Sequence, residues 1–212
     1  MTTQRYTVGE EIANSLTHGA GIVLAVTALA VMVAFASLRG DAWHVVSCAI
    51  FGATLILTYT ASTLYHSIPI PSAKAVLRTL DHAAIFLLIA GTYTPLLLVS
   101  LRGTWGWTLF GIIWSIAILG VTLKFMLKAR GHKLMVALYV AMGWVIVVAI
   151  NPLLETMGRN GLYWLLAGGI AYTGGVAFYL WRRLPYHHAI WHCFVMAGSA
   201  LHFCAIFFYV IP

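Results

Sequence analysis

Residues Leu16–Leu38 read LTHGAGIVLAVTALAVMVAFASL. This run of 23 residues contains no Asp, Glu, Lys or Arg. A helix crossing the hydrocarbon layer of a bilayer needs about 20 mostly apolar residues, so the run reads as a transmembrane helix. It is too long for the apolar part of a cleavable signal. The segment before it, Met1–Glu11, is polar, with Arg5 as its only basic residue and two acids, Glu10 and Glu11, which also argues for a retained helix.

Working outward from it, six further runs qualify: Val45–Tyr65, Leu77–Leu101, Trp105–Leu123, Leu134–Ile150, Gly161–Trp181 and Ala189–Val210. Charged or turn-forming residues separate them: Arg39-Gly40-Asp41, Pro69–Lys74, Arg102-Gly103, Lys124–Lys133, Pro152–Asn160 and Arg182–Pro185. Composition agrees. The chain is 62% hydrophobic and 8% charged, whereas a soluble domain carries about a quarter charged residues. The expected fold is all-α, a polytopic seven-transmembrane-helix bundle forming one domain over residues 1–212. Pro95 is expected to kink the third span. Gly168, Gly169, Gly174 and Gly175 are expected to allow close helix approach in the sixth. Trp43, Trp105 and Trp181 sit at span ends, as interfacial aromatics do.

Seven crossings place the termini on opposite sides. The N-terminal side collects Arg5, Lys74, Arg78, Lys124, Lys128, Arg130, Lys133, Arg182 and Arg183; the other side collects Arg39, Arg102 and Arg159. Basic residues concentrate on the cytoplasmic side of membrane proteins, so the N-terminus is expected to be cytoplasmic. The net charge of +7 then reflects cytoplasmic loops rather than nucleic-acid binding, for which no motif is present. Cys48, Cys193 and Cys204 all lie in apolar runs without CxxC spacing and read as small buried residues.

Ionisable residues inside spans are costly and usually functional. Asp81 is the only acid within a span. His66 ends the second span, Asp81 begins the third, and His188 and His192 begin the seventh, so all four share one depth near the cytoplasmic face. His188 and His192 are four residues apart and stack on one helical face, a spacing that can grip one metal ion. His66, from another helix, is the natural third ligand of a Zn2+ site that keeps water as its fourth. Ser62 lies one turn before His66 and is placed to hydrogen-bond a ligand or that water. Asp81 has two readings, an ion pair with Arg78 or a carboxylate that orients or deprotonates the water; beside three histidines at its depth the second is favoured. His202 lies about 15 Å deeper and reads as a hydrogen-bonded core residue or a contact to a deeper ligand. His82 is rotated about 100° from Asp81. His18, with Glu11 and Asn14, reads as a cap or brace of the first helix.

These motifs resemble those of the hemolysin III proteins, the bacterial branch of the progestin and adiponectin receptor superfamily. The likeness runs from Glu10-Glu11-Ile12-Ala13-Asn14 through Ala61-Ser62-Thr63-Leu64-Tyr65-His66, Leu80-Asp81-His82, Ala90-Gly91-Thr92-Tyr93-Thr94-Pro95 and His188-Ala189-Ile190-Trp191-His192 to Ala197 and beyond. It is strongest with small inner-membrane proteins of Gram-negative bacteria, which implies the bacterial cytoplasmic (inner) membrane. The resemblance implies zinc on His66, His188 and His192, with Asp81 as the carboxylate beside the metal and Ser62 as its companion. It also implies membrane lipids as surroundings and a lipid-like substrate or ligand, hence a metal-dependent hydrolase of a lipid amide or ester. A regulator of membrane energetics or lipid homeostasis with structural zinc is the alternative. A pore-forming cytolysin, which the family name suggests, would need a soluble form that this composition does not provide.

Overall fold

The computed structural model describes residues 6–127 and 131–212. Arg5, Lys128 and Arg130, three of the basic residues counted above, lie outside the described residues. All regular structure among those described is helical: α1 (Val8–Arg39), α2 (Ala42–Ser67), α3 (Pro71–Pro95), α4 (Thr104–Leu127), α5 (His132–Trp144), α6 (Ile150–Leu180) and α7 (His187–Tyr209). Six segments are long and apolar enough to cross a membrane: Val8–Arg39, Ala42–Ser67, Pro71–Ser100, Thr104–Leu127, His132–Leu180 and His187–Tyr209.

Local chemistry sets the helix starts. Thr7 caps α1: its hydroxyl accepts from the Glu10 amide, and the Glu10 carboxylate accepts from the Thr7 amide at 2.8 Å, a reciprocal pair that satisfies two orphan donors. Asp41 does the same for α2, accepting from the Trp43 and His44 amides. Pro71 occupies the first turn of α3, where its missing N–H costs nothing. Pro95 does not end the third segment. The five residues after it, Leu96–Ser100, form a π-turn closed by Leu101 N–H donating to the Leu96 carbonyl at 2.9 Å, a widened turn that carries the helix past the proline.

The buried core is largely hydrophobic but holds most of the polar groups of the spans, while the exterior is studded with large apolar side chains. On α1 the buried residues include Asn14, His18, Gly21 and Ala25, while Val23 and Leu24 are 66% and 63% exposed. A continuous apolar exterior of this kind marks contact with lipid, so the chain is a polytopic helical membrane protein. α1 packs on α2, α2 on α3, α6 on α7 and α1 on α7; α3 is the most deeply buried segment.

The fifth and sixth expected spans run together as His132–Leu180, 49 residues. A straight helix of that length would reach about 73 Å, more than twice the hydrocarbon thickness. Two features break it. A 3-10 stretch, Val145–Ala149, follows α5; there the Tyr93 hydroxyl, from α3, accepts from the Ile146 amide and donates to the Met142 and Gly143 carbonyls. Further on, Gly158 leaves the helix at φ 66° and ψ 177°, a conformation that only glycine adopts readily. The expected loop Pro152–Asn160 is therefore helical up to this kink. Beyond it α6 packs closely on α7: a Cβ on Gly168 would lie 2.2 Å from the His202 ring, and one on Gly175 would lie 2.6 Å from Phe194. Gly169 and Gly174 have room to spare, so only half of the expected glycine contacts are tight.

Candidate metal centre

His66, His188 and His192 come together. Each offers a ring nitrogen, the three lie within 4.8 Å of one another, and all three side chains are buried. The ring centroids are 5.0 Å apart for His66–His188, 5.3 Å for His66–His192 and 4.5 Å for His188–His192. α7 brings its pair in through an unusual start. Tyr186, its cap, is left-handed at φ 56°, the one non-glycine with positive φ among the described residues. Its amide donates to the Glu10 carboxylate at 3.2 Å, which ties the first turn of α1 to the head of α7.

The partners of these rings dictate which nitrogen is free. Nδ1 of His66 lies 2.6 Å from Oε2 of Glu11. A carboxylate only accepts, so Nδ1 carries the proton. Nε2 of His66 then holds a lone pair, and it is buried without a partner. Nδ1 of His192 lies 3.2 Å from the Asn14 carbonyl and 3.1 Å from the Thr17 hydroxyl. Thr17 points its own proton at the Ala13 and Asn14 carbonyls, so here too Nδ1 donates and Nε2 is left as the acceptor. Nδ1 of His188 has no partner. A carboxylate or carbonyl on the far nitrogen is how metal-binding histidines are oriented and made more basic. Zinc bound by imidazoles at about 2.0–2.1 Å needs its ligand nitrogens about 3.3 Å apart, a modest contraction from the present spacing. The donor set therefore fits zinc.

The surroundings extend this arrangement. Glu11 is shared: its Oε1 pairs with Lys74 Nζ at 2.8 Å, and Lys74 also donates to the Tyr65 carbonyl. Tyr6 covers the cluster, 5.7 Å from the His66 ring and 5.2 Å from that of His188. Burial first, then the neighbouring Tyr65 and Tyr179 phenols and the Asp81 and Glu11 carboxylates, hold the Tyr6 phenol well above its usual range, so it stays a neutral hydroxyl. His18 stacks face to face on His192 at 3.6 Å, and neither of its nitrogens has a partner.

Asp81, 9% exposed, lines a cavity of about 130 Å³ together with His18, His82, His188 and His192. Its ion-pair partner is His82, with Oδ2 3.3 Å from Nδ1; no ion pair joins it to Arg78 among the described residues. His82 donates from Nδ1 to the Arg78 carbonyl at 2.8 Å and meets the Tyr179 hydroxyl through Nε2 at 3.2 Å. The 100° offset read from the helix wheel is bridged because the aspartate and histidine are adjacent in sequence. Ser62 is buried with an unpartnered hydroxyl, but it does not line that cavity. His202 lies at the cavity's far end, where Nε2 donates to the Leu165 carbonyl at 3.1 Å.

Glu11, Asn14 and His18 do not cap α1, which Thr7 and Glu10 cap. They face the histidine cluster instead. Sequence reasoning also passed over Thr17, Tyr6 and Tyr179. The signal for the α1 group was present: Glu11, Asn14 and His18 fall at i, i+3 and i+7, one helical face.

The sequence model of the family described as "Haemolysin-III related" matches residues 6–203. The chain is 49% identical to "Hemolysin-3" of Bacillus cereus, covering 100% of this chain and 97% of that one. It is 45% identical to "Hemolysin-3 homolog" of Bacillus subtilis (strain 168), covering 97% of each. It is 29% identical to the "Monocyte to macrophage differentiation factor" of Homo sapiens over 95% of this chain and 84% of that protein. With the family's model spanning nearly the whole bundle and a relative this similar from end to end, the chain belongs to the haemolysin-III-related family of membrane proteins.

Proposed function

We propose that this chain is a zinc-dependent hydrolase of a lipid amide or ester in the bacterial cytoplasmic (inner) membrane, folded as a single domain of seven crossings with a cytoplasmic N-terminus. The crossing number is supported by the Gly158 kink, which divides His132–Leu180 into two pieces each long enough to span. The orientation is supported by the nine-to-three bias of basic residues. A reporter fused after Pro212 should then be active only outside the cytoplasm; activity inside would overturn the orientation or the count.

The observation that carries the hydrolytic reading is the convergence of three buried histidines beside a carboxylate on the wall of an apolar cavity. His66, His188 and His192 would hold the zinc, which when bound would supply the Lewis acidity needed to activate a carbonyl and water near neutral pH. Glu11, the Asn14 carbonyl and Thr17 keep two of the imidazoles in the tautomer that ligation requires. Asp81 accepts the proton of the attacking water and passes it to the leaving group. His82, bonded on both sides, steadies that carboxylate. Ser62 is available to hydrogen-bond the reacting centre. The cavity continues from the histidines along Ile85, Leu88, Ile89 and Val176, a lining suited to an acyl chain, with entry sideways between helices from the lipid.

Asp81→Asn tests this reading. The amide cannot accept the proton, so zinc content should persist while lipid turnover, followed by mass spectrometry of the products, falls roughly 10²- to 10⁴-fold. Lost zinc would make Asp81 a ligand. Retained zinc with undiminished turnover would remove the hydrolytic reading and leave a regulator with structural zinc.

A further inference from the structure

A second cavity, about 940 Å³, opens at the same end of the bundle between the head of α1, the end of α2, the start of α3 and the end of α4. Three cations line it, Lys74, Arg78 and Lys124, against one acid, Glu11. That acid is spent: one oxygen serves His66 and the other Lys74. The chain has only four other acids. Glu10 is bonded to Thr7 and Tyr186, Asp41 to His44 and Arg102, and Asp81 to His82, while Glu155 lies on the far side of the molecule near the Gly158 kink. Arg78 and Lys124 therefore make no ion pair among the described residues. The Lys124 side chain is the sharper case, since the residue is 5% exposed and its ammonium makes no hydrogen bond or ion pair among the described residues. Lysine is almost never so buried unless paired; its ammonium opens on the cavity rather than into the core, where a charge without a partner is still unfavourable. A second cation on the same wall adds repulsion.

An anion between them removes both penalties, and phosphate suits the pair because it accepts several charge-assisted hydrogen bonds at once. Along α1 the cavity also has an apolar wall, formed by Val8, Ile12 and Leu16. These residues are 78%, 54% and 68% exposed, so this wall is continuous with the face of α1 that meets lipid. We propose that Arg78 and Lys124 form a binding site for a phosphate group, with the apolar wall favouring a phospholipid as its bearer over free phosphate. The site adjoins the metal centre through Tyr6, Glu11, His66 and Lys74, and binding at it requires no metal.

The test uses the full chain in detergent, with thermal midpoint and native mass spectrometry as readouts. Short-chain phosphatidylglycerol should bind and raise the midpoint; the diacylglycerol of the same chain length, which lacks the phosphate, should do neither. Arg78→Gln and Lys124→Gln should each weaken binding by roughly tenfold or more, the loss of one charge-assisted hydrogen bond. Lys124→Arg should retain it, and Arg102→Gln, a cation paired with Asp41 at the other end, should leave it unchanged. Inorganic phosphate that binds alone and displaces the lipid would assign the same site to a soluble phosphate. Equal binding of the diacylglycerol, binding that survives both glutamine variants, or no binding of any of the three compounds would overturn the proposal.

Discussion

The central cavity has histidines at both ends, and the two ends use the imidazole differently. At one end, His66 and His192 each give Nδ1 to a fixed acceptor, Glu11 or the Asn14 carbonyl, and each stands with a ring nitrogen within 4.8 Å of the other's and of His188's. At the other end, His202 gives Nε2 to the Leu165 carbonyl and is pressed against Gly168. Its Nδ1 is buried and unpartnered, so a lone pair is available there too, but among the described residues it belongs to no group of converging ligands. Nearby, Tyr59 and Tyr172 converge on Ser199, a closed set of hydroxyl bonds that leaves nothing for a metal. A free lone pair is therefore common to both ends; convergence of several, each fixed from behind, is found at only one.

Glu11→Gln should break the comparison hardest from outside the ligand set. It keeps the size of the side chain but removes the charge that fixes the His66 proton on Nδ1 and pairs with Lys74. Metal affinity measured by competition with a chelator should fall about 10- to 100-fold, the usual consequence of losing a partner behind a ligand; unchanged affinity would show that Glu11 serves Lys74 alone. His202→Ala should sharpen the comparison by its small effect on metal. Zinc affinity should stay within about twofold, while thermal unfolding shows a loss on the order of 1–3 kcal/mol from the hydrogen bond and packing removed. A large drop in zinc would mean that the two ends are coupled through the cavity.

Much of the fold was legible because lipid exposure demands long apolar runs, and those runs fall in the six segments long and apolar enough to cross a membrane. Their ends were less legible. α1 begins at Val8 rather than Leu16 because Glu11, Asn14 and His18 turn inward, so polar residues that resembled an aqueous leader belong to the helix. The break expected at Pro152–Asn160 contains the Gly158 kink, but the helix runs unbroken up to it and a further 3-10 turn lies earlier, at Val145–Ala149, because a hydropathy pattern registers neither a 3-10 turn nor a single dihedral change. In the candidate site, His188 and His192 were readable from their spacing and His66 from its depth. The groups behind them were not, because a contact such as Glu11 to His66 joins residues 55 positions apart and leaves no local signature. Asp81 and His82 were separated on the helix wheel, yet adjacent side chains can lean together, as these do.

Metal analysis of the purified, detergent-extracted protein, compared with His192→Ala, tests the central claim most directly. One zinc per chain is expected, with zinc-edge absorption showing imidazole nitrogens at about 2.0–2.1 Å and no sulfur, and the variant should lose the metal or release it readily to a chelator. A wild-type protein without stoichiometric zinc, or a His192→Ala protein that retains a full chelator-resistant complement, would contradict it.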